Sequence, residues 1–109
     1  MLNQTVIVGR VVNEVKVNKT ESERDVANIT LAVPRSFKNA DGEYDTDFID
    51  VVLWGNIADN TAEYVKKGDL VGIKGRLQSR EVEKYHEKFK VLEVVAEKVT
   101  FLSSKKEND

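Results

Sequence analysis

The sequence predicts an all-β fold, a small five-stranded barrel with one helix between the third and fourth strands. Three observations support this prediction. Five segments combine β-branched residues with the apolar–polar alternation of half-buried strands. One segment carries apolar residues at helical spacing, and turn residues separate the segments. A chain of 109 residues has room for one domain with a real hydrophobic core, but not for two.

The five predicted strands take their limits from local patterns. The first is rich in Val and Ile, and Val15 and Val17 are candidates to continue it. The second alternates apolar and polar residues and ends at Pro34, which cannot donate a ladder hydrogen bond. The third follows a polar loop that contains the turn signal Asp41-Gly42. The predicted strands cover residues 5–12, 27–33, 47–54, 70–80 and 89–102.

One helix is predicted over residues 56–68. The residues at helical spacing on its buried face are Ile57, Thr61, Tyr64 and Val65. Lys66 and Lys67 suit the negative end of the helix dipole, and Gly68 suits the C-terminal cap. A helix between the third and fourth strands of a five-stranded barrel is the layout of an OB-fold. Three glycines inside the predicted strands fit the sharp bends that such a barrel requires.

Composition excludes several classes of protein. The chain has no Cys and one histidine, His86, so disulfides and Cys-based metal or thiol sites are excluded, and neither a metal nor another cofactor is expected. No apolar run is long enough to cross a bilayer, and no signal peptide is visible, so we expect a cytoplasmic protein without a membrane partner. Lys and Arg number 17 against 19 Asp and Glu. Because the chain is not strongly basic overall, the positions of its positive charges must decide whether it binds nucleic acid.

The two faces of the predicted third strand differ in chemistry. The aliphatic face, which we assign to the core, consists of Ile49, Val51 and Leu53. The opposite face consists of Phe48, Asp50, Val52 and Trp54. Two aromatic rings beside a carboxylate are unusual in a core. This second face is therefore predicted to be a binding surface.

Positive charges and rings recur on the neighbouring elements. Val71, Ile73 and Leu77 of the predicted fourth strand point to the core. Its other face carries a polar stripe of Lys74, Arg76, Gln78 and Arg80. In the predicted loop after Pro34, Phe37 is flanked by Arg35 and Lys38. Such a surface suits single-stranded nucleic acid, because cations neutralise phosphates and rings stack on unpaired bases, which a duplex does not offer.

Other interpretations remain open. Each ring alone is more typical of a core or subunit interface, and the basic stripe alone of a solvated strand face. The acidic residues between 41 and 50 lack calcium-loop spacing and indicate a solvated hairpin tip, so a metal-dependent nuclease is much less favoured. No phosphate-binding loop or nucleophile–base pair is present, and no enzyme is predicted. The alternative function is an OB-fold protein-interaction module with no nucleic-acid role.

Several blocks of the sequence, in order, resemble the bacterial and phage single-stranded DNA-binding protein (SSB) family. The blocks are residues 2–3, 6–10, 26–33, 47–49, 51–55, 62–68, 75–80 and 93–97. So many blocks in the correct order make a far more specific match than one short motif. The resemblance covers residues 1–102, which we expect to form the OB-fold domain. It leaves residues 103–109 as a short polar tail.

The resemblance implies a homotetramer around which single-stranded DNA wraps without sequence preference, protecting it during replication, recombination and repair. The expected location is the nucleoid, or the host cytoplasm for a phage-encoded chain. The family's base-stacking positions fall on Phe37, Phe48 and Trp54, and its phosphate contacts on Lys67, Lys74, Arg76 and Arg80. The other candidate DNA contacts are Arg10, Lys19, Arg35, Lys38 and Tyr85. The family pairs subunits partly through the first strand, where Val6 and Val8 would be interface residues.

The sequence also departs from the family pattern. Gln4 stands where a cation is usual, and Asn18-Lys19 where Arg-Tyr is common. Val82 occupies a position often held by a stacking aromatic, for which Tyr85 is a candidate substitute. Because cations and rings are lost, we expect weaker binding or a smaller footprint than in chromosomal members. Typical members continue into a flexible linker and an acidic tip that recruits replication and repair enzymes; for a complete chain ending here, that recruitment is expected to be absent.

Overall fold

The computed structural model describes residues 1–105 as a closed β-barrel with one helix. Its elements in chain order are β1 (Thr5–Val11), β2 (Asn18–Lys19), β3 (Asp25–Lys38), β4 (Tyr44–Trp54), α1 (Gly55–Tyr64), β5 (Leu70–Lys84) and β6 (Glu87–Ser103). The predicted order of long strands, with a helix between the third and fourth, is confirmed for these residues. The two-residue strand β2 was not predicted.

The barrel closes because β1 pairs with strands on both of its sides. The strand order is β1–β5–β6–β4–β3–β2, with an additional pairing between β1 and β3. Arg10 of β1 lies opposite both Leu70 of β5 and Ala32 of β3. On the far side, β4 and β6 pair in parallel, with Val52 opposite Val95. Closure leaves the long strands of the barrel without a continuous free edge.

The core lies inside the barrel and is aliphatic. Its largest fully buried side chains are Ile29, Leu31, Leu53, Ile73, Val11, Val51 and Val71. Each contributes about 1.5–3 kcal/mol relative to full exposure. The predicted inward face of β4 is confirmed for Val51 and Leu53, and Ile49 is partly buried against the same cluster. Leu77, predicted to point into the core, is 45% exposed because β5 has by then left the barrel.

The helix ends earlier than the sequence suggested. Val65 donates its backbone N–H to the carbonyl oxygen of Thr61 over 2.8 Å, and the last helical residue is Tyr64. Gly68 is therefore not the cap; its φ is +96°, and its N–H donates to the carbonyl of Val11 over 2.7 Å. This glycine shapes the turn into β5, since only glycine readily adopts that backbone angle. Tyr64, predicted on the buried face, is exposed.

Two long hairpins extend beyond the predicted strand limits. β3 continues through Pro34 to Lys38, and β4 begins at Tyr44. Phe37 therefore belongs to a strand. The prediction that it lies in a loop was wrong. Pro34 is tolerated because the β3–β4 register becomes irregular immediately after it. β5 likewise continues to Lys84 and β6 begins at Glu87, with a tight turn between them. The predicted strands stopped at residue 80 and began at residue 89.

The first strand does not extend to Val15 and Val17, the two residues that were candidates to continue it. It ends at Val11, and Val15 and Val17 lie outside the strands, partly buried against the core. At the other end of the chain, Ser103 belongs to β6 and not to the predicted tail. Residues 106–109 of that tail lie outside the described residues.

β5 and β6 approach each other closely at Gly75. A Cβ atom added there would collide with the carbonyl oxygen of Val95. The register between the two strands shifts next to this glycine, as expected for a bulge that bends a barrel strand. Across residues 1–105, no helix has the length and apolar character needed to cross a membrane.

Candidate nucleic-acid interface

A row of four side chains crosses the outer face of the barrel. Asn28 pairs with Val52, Val52 with Val95, and Val95 with Arg76. Directly opposite residues of neighbouring strands project from the same face. Val52, predicted to lie on the binding surface, is only 5% exposed. The row is therefore an apolar floor with polar side chains at its two ends.

A second row begins with a cation and ends with an aromatic ring. Arg10 lies opposite Ala32, and Ala32 lies opposite Phe48. The ring of Phe48 is 67% exposed, although a phenyl ring gains free energy when it is buried. Nη1 of Arg10 donates to the carbonyl of Gly68 over 3.1 Å. The concavity at this end of the row is lined by Arg10, Ala32 and Lys67.

The outer part of the β3–β4 hairpin carries a second exposed ring and further cations. Phe37 is 65% exposed. Nζ of Lys38 lies 5.8 Å from the ring centroid of Tyr44 on the opposite strand, within cation–π range. The sequence analysis assigned Arg35, Phe37 and Lys38 to a loop after Pro34. In the structure a hairpin holds them.

Arg35, on the same hairpin, is paired with a carboxylate. Its Nη2 donates to Oδ1 of Asp47 over 2.9 Å, and its Nε donates to Oδ2 over 3.2 Å. The hydrogen bonds from Arg35 lower the pKa of Asp47 below its ordinary value. Asp45 lies 3.8 Å from the same guanidinium. A nucleic-acid phosphate would therefore compete with two carboxylates for Arg35.

Arg80 lines an open groove of about 240 Å³ between the two long hairpins. Its Nε atom lies 2.6 Å from Oε1 of Glu93, a carboxylate that is 6% exposed. On the opposite wall of the groove, Thr30 donates its hydroxyl to Oδ1 of Asp50 over 2.9 Å. The groove therefore contains one guanidinium, one buried carboxylate and one exposed carboxylate. No sequence signal pairs Arg80 with Glu93, because the pairing depends on the strand register.

The single tryptophan lies where β4 meets the helix, and its ring is covered by a cation. Trp54 is the N-cap residue of α1 and is partly buried. The guanidinium carbon of Arg24 lies 4.4 Å from the centroid of its ring, in stacking range for a cation–π pair. The register explains the contact, since Val26 lies directly opposite Trp54. Sequence reasoning missed Arg24.

Lys19, a predicted DNA contact on β2, is also paired. Its Nζ atom lies 2.8 Å from Oδ1 of Asp25, and this hydrogen bond lowers the pKa of Asp25. A hydrogen bond with Asp25 raises the pKa of the Asp59 carboxyl on α1, and charge repulsion from Asp25 adds to this effect. Lys19 thus faces two carboxyl groups, those of Asp25 and Asp59.

Two predicted residues lie apart from the rows. Lys74 is opposite Val6 on one side and Lys98 on the other, so it projects from the β1–β5–β6 part of the barrel. Tyr85 is at the turn between β5 and β6, fully outside the barrel, with φ of +53°. The rows and the groove bring together Arg10, Phe48, Lys67, Arg76 and Arg80; the β3–β4 hairpin holds Arg35, Phe37 and Lys38.

The acidic hairpin tip does not assemble a metal site in the part of the chain that the structure describes. Within residues 1–105, no three His, Cys, Asp or Glu side chains are arranged to hold a metal ion. Asp45 and Asp47 lie instead beside Arg35. Asn39 organises the turn by accepting the backbone N–H groups of Asp41 and Glu43.

Known proteins resemble this chain in sequence and in fold. Residues 2–102 match the model of the "Single-strand binding protein family". The "Single-stranded DNA-binding protein" of Staphylococcus aureus strain MRSA252 is 44% identical over 110 residues, which cover 100% of this chain and 70% of that protein. The "Single-stranded DNA-binding protein B" of Bacillus subtilis strain 168 is 43% identical over 106 residues, covering 96% of this chain and 94% of that one.

A solved structure confirms the fold class. A chain from a structure described as "Plasmodium falciparum SSB complex with ssDNA" aligns with a TM-score of 0.83 at 24% sequence identity, covering 94% of this chain and 96% of that one. The predicted OB-fold is therefore confirmed.

Proposed function

Because the chain belongs to the single-strand binding protein family, we propose that it binds single-stranded DNA without sequence preference, by stacking bases on rings and holding phosphates with Lys and Arg. One observation carries this mechanism. Phe48 ends a row that begins with Arg10, and its ring is 67% exposed on a regular strand. A ring fixed at that position gains little from the protein and can gain about 1–3 kcal/mol from each base that stacks on it.

The neighbouring side chains supply the rest of a strand-binding path. The β3–β4 hairpin also carries the exposed ring of Phe37 and the cation of Lys38. Arg10 and Lys67 lie at one end of the Phe48 row, while Arg76 and Arg80 lie on β5 across the groove. This surface offers rings for the bases and cations for the phosphates of an extended strand. A duplex keeps its bases stacked internally and gains nothing from the rings.

The electrostatics favour moderate, strongly salt-dependent binding. The net charge is −2, and Arg35 and Arg80 each have a carboxylate partner. A phosphate must compete with those partners, which lowers the affinity. Affinity falls as salt rises because neutralising phosphates releases counterions from the DNA. We retain the expectation of weaker binding or a smaller footprint than in chromosomal members.

The proposed assembly is a homotetramer. Val6 and Val8 of β1 are exposed on the barrel surface, and burying them between subunits would remove apolar area from water. Lys74 lies opposite Val6, so we assign it to the periphery of that contact or to a DNA path between subunits.

The proposed role is protection of single-stranded DNA during replication, recombination and repair, without catalysis or a cofactor. That role belongs in the cytoplasm at the nucleoid, or in the host cytoplasm for a phage-encoded chain.

A direct comparison of ligands tests this function. Fluorescence anisotropy would follow labelled oligo-dT and a labelled duplex of equal length titrated with the full chain, at low and at high salt. We expect binding of oligo-dT alone, weakened by salt. Absence of oligo-dT binding would overturn the proposal and favour the protein-interaction alternative. That alternative has a candidate surface in the concavity between α1 and β6, lined by Tyr64, Val99 and Phe101 among others.

A further inference from the structure

Arg24 is a cation that neither the sequence patterns nor the proposed function has used. It immediately precedes β3, and its guanidinium carbon lies 4.4 Å from the ring centroid of Trp54. Stacking on an indole holds a guanidinium more firmly than water does, because the ring face is electron-rich and Arg is weakly hydrated. Arg24 is therefore already oriented before any ligand arrives.

The backbone of Arg24 is fixed by the turn between β2 and β3. Thr20 donates its N–H to the carbonyl of Arg24 over 3.0 Å, and Glu23 donates its N–H to Thr20 over 2.8 Å. The N–H of Arg24 donates in turn to the hydroxyl of Thr20 over 3.1 Å. The turn therefore holds the backbone on both sides of Arg24, and Trp54 holds the side chain.

The charge of Arg24 is available, whereas that of its neighbour is not. Lys19 is 2.8 Å from Asp25, so its charge is offset within the protein. Within residues 1–105, the guanidinium of Arg24 makes neither a salt bridge nor a hydrogen bond to protein. Arg24 is exposed. The planar N–H donors of its guanidinium match the geometry of a phosphate, which Arg can bind with two parallel hydrogen bonds.

We propose that Arg24 is a nucleic-acid-binding residue that acts together with Trp54. The guanidinium stays stacked on the indole and donates to a backbone phosphate of the strand whose bases contact the rings. This inference rests on the proposed function and adds a residue to its site. It also assigns to Arg24 the role that the sequence had suggested for Lys19.

The test compares Arg24→Ala, Arg24→Lys and Lys19→Ala by anisotropy with labelled oligo-dT. Losing one phosphate contact removes about 0.7 from the magnitude of the slope of log K against log salt, which is about a fivefold loss of affinity at about 0.1 M salt. We expect that loss in Arg24→Ala and a smaller one in Arg24→Lys, which keeps the charge but not the planar stack. Lys19→Ala is the matched control at a paired cation, and its affinity should change less than that of Arg24→Ala.

Fluorescence of the free protein tests the stacking separately. Trp54 is the single tryptophan, so removing Arg24 should change its emission without DNA, while Lys19→Ala should not. An Arg24→Ala protein that binds oligo-dT like the wild type would overturn the inference and leave the proposed function standing. Unchanged emission in Arg24→Ala would overturn the joint role with Trp54. A wild-type protein that fails to bind oligo-dT would overturn the proposed function itself.

Discussion

Arg80 and Glu93 form an ion pair across β5 and β6, with Nε of Arg80 2.6 Å from Oε1 of Glu93. The carboxylate is buried, and the guanidinium reaches the groove between the two hairpins. Among the described residues, the terminal nitrogens of Arg80 donate no hydrogen bond to protein. Glu93 therefore holds the guanidinium through Nε and leaves its outer edge available to a phosphate.

The pair predicts that stability and binding can be separated at this site. Arg80→Ala leaves a buried carboxylate without a partner and should lower the free energy of unfolding by about 1–3 kcal/mol. It should also weaken oligo-dT binding by about fivefold at about 0.1 M salt, since one phosphate contact is lost. The double variant Arg80→Ala/Glu93→Gln should recover stability in urea denaturation but not affinity. Wild-type affinity in both variants would mean that Arg80 does not contact DNA.

Phe48→Ala should weaken binding while leaving the fold intact. The lost stacking corresponds to about 1–3 kcal/mol of binding free energy, and the exposed ring contributes little to the core. Tyr64→Ala is a matched control, because Tyr64 is also 67% exposed but lies on α1. Anisotropy with oligo-dT and thermal unfolding would be measured on both. Equal affinities for the two variants would contradict the stacking role of Phe48.

Asp47→Asn should strengthen binding of single-stranded DNA. The change removes the carboxylate that accepts three hydrogen bonds from Arg35, and the guanidinium becomes available for a phosphate. Asp41→Asn provides a control with the same change in net charge at the tip of the same hairpin. If Arg35 contacts DNA, affinity rises several-fold more in Asp47→Asn than in Asp41→Asn at low salt, where charge effects are largest. Identical affinities would remove Arg35 from the site.

Asp59→Asn should raise stability at neutral pH. The pKa of Asp59 is raised in the folded protein by its hydrogen bond with Asp25, so folding takes up protons between the ordinary Asp pKa and the raised one. Stability therefore falls as pH rises through that window and stays lower above it. Asp59→Asn removes this loss, and Glu63→Gln on the same helix serves as the control. Urea denaturation at acidic and neutral pH would measure it; a gain limited to acidic pH would contradict the account.

The barrel was predictable because its core strands alternate cleanly. Val51 and Leu53 point inward as their spacing indicated. The hairpin extensions were not predictable from the same rules. Pro34 normally ends a strand, yet β3 passes through it at a register irregularity. The turn at Tyr85 and His86 has positive φ at both residues, where the usual signal would be Gly or Asn.

The types of residue in the candidate site were predictable, but their partners were not. The exposed ring of Phe48 follows from an apolar residue out of phase with the core face of β4. Phe37 is in phase with Ile29 and Leu31, so strand alternation did not predict its exposure. The pairing of Arg80 with Glu93 depends on strand register and a bulge, which sequence alone does not determine. Arg24 lies far from Trp54 along the chain and meets it only because Val26 pairs with Trp54.

The intrinsic fluorescence of Trp54, titrated with oligo-dT and with a duplex of equal length, tests the central claim most directly. A strand whose phosphate binds Arg24 lies next to the indole of Trp54 and changes its surroundings. We expect strong quenching by oligo-dT, little change with duplex, and weaker quenching as salt rises. Unchanged emission at saturating oligo-dT, or equal quenching by duplex, would contradict the proposal that this face binds unpaired bases.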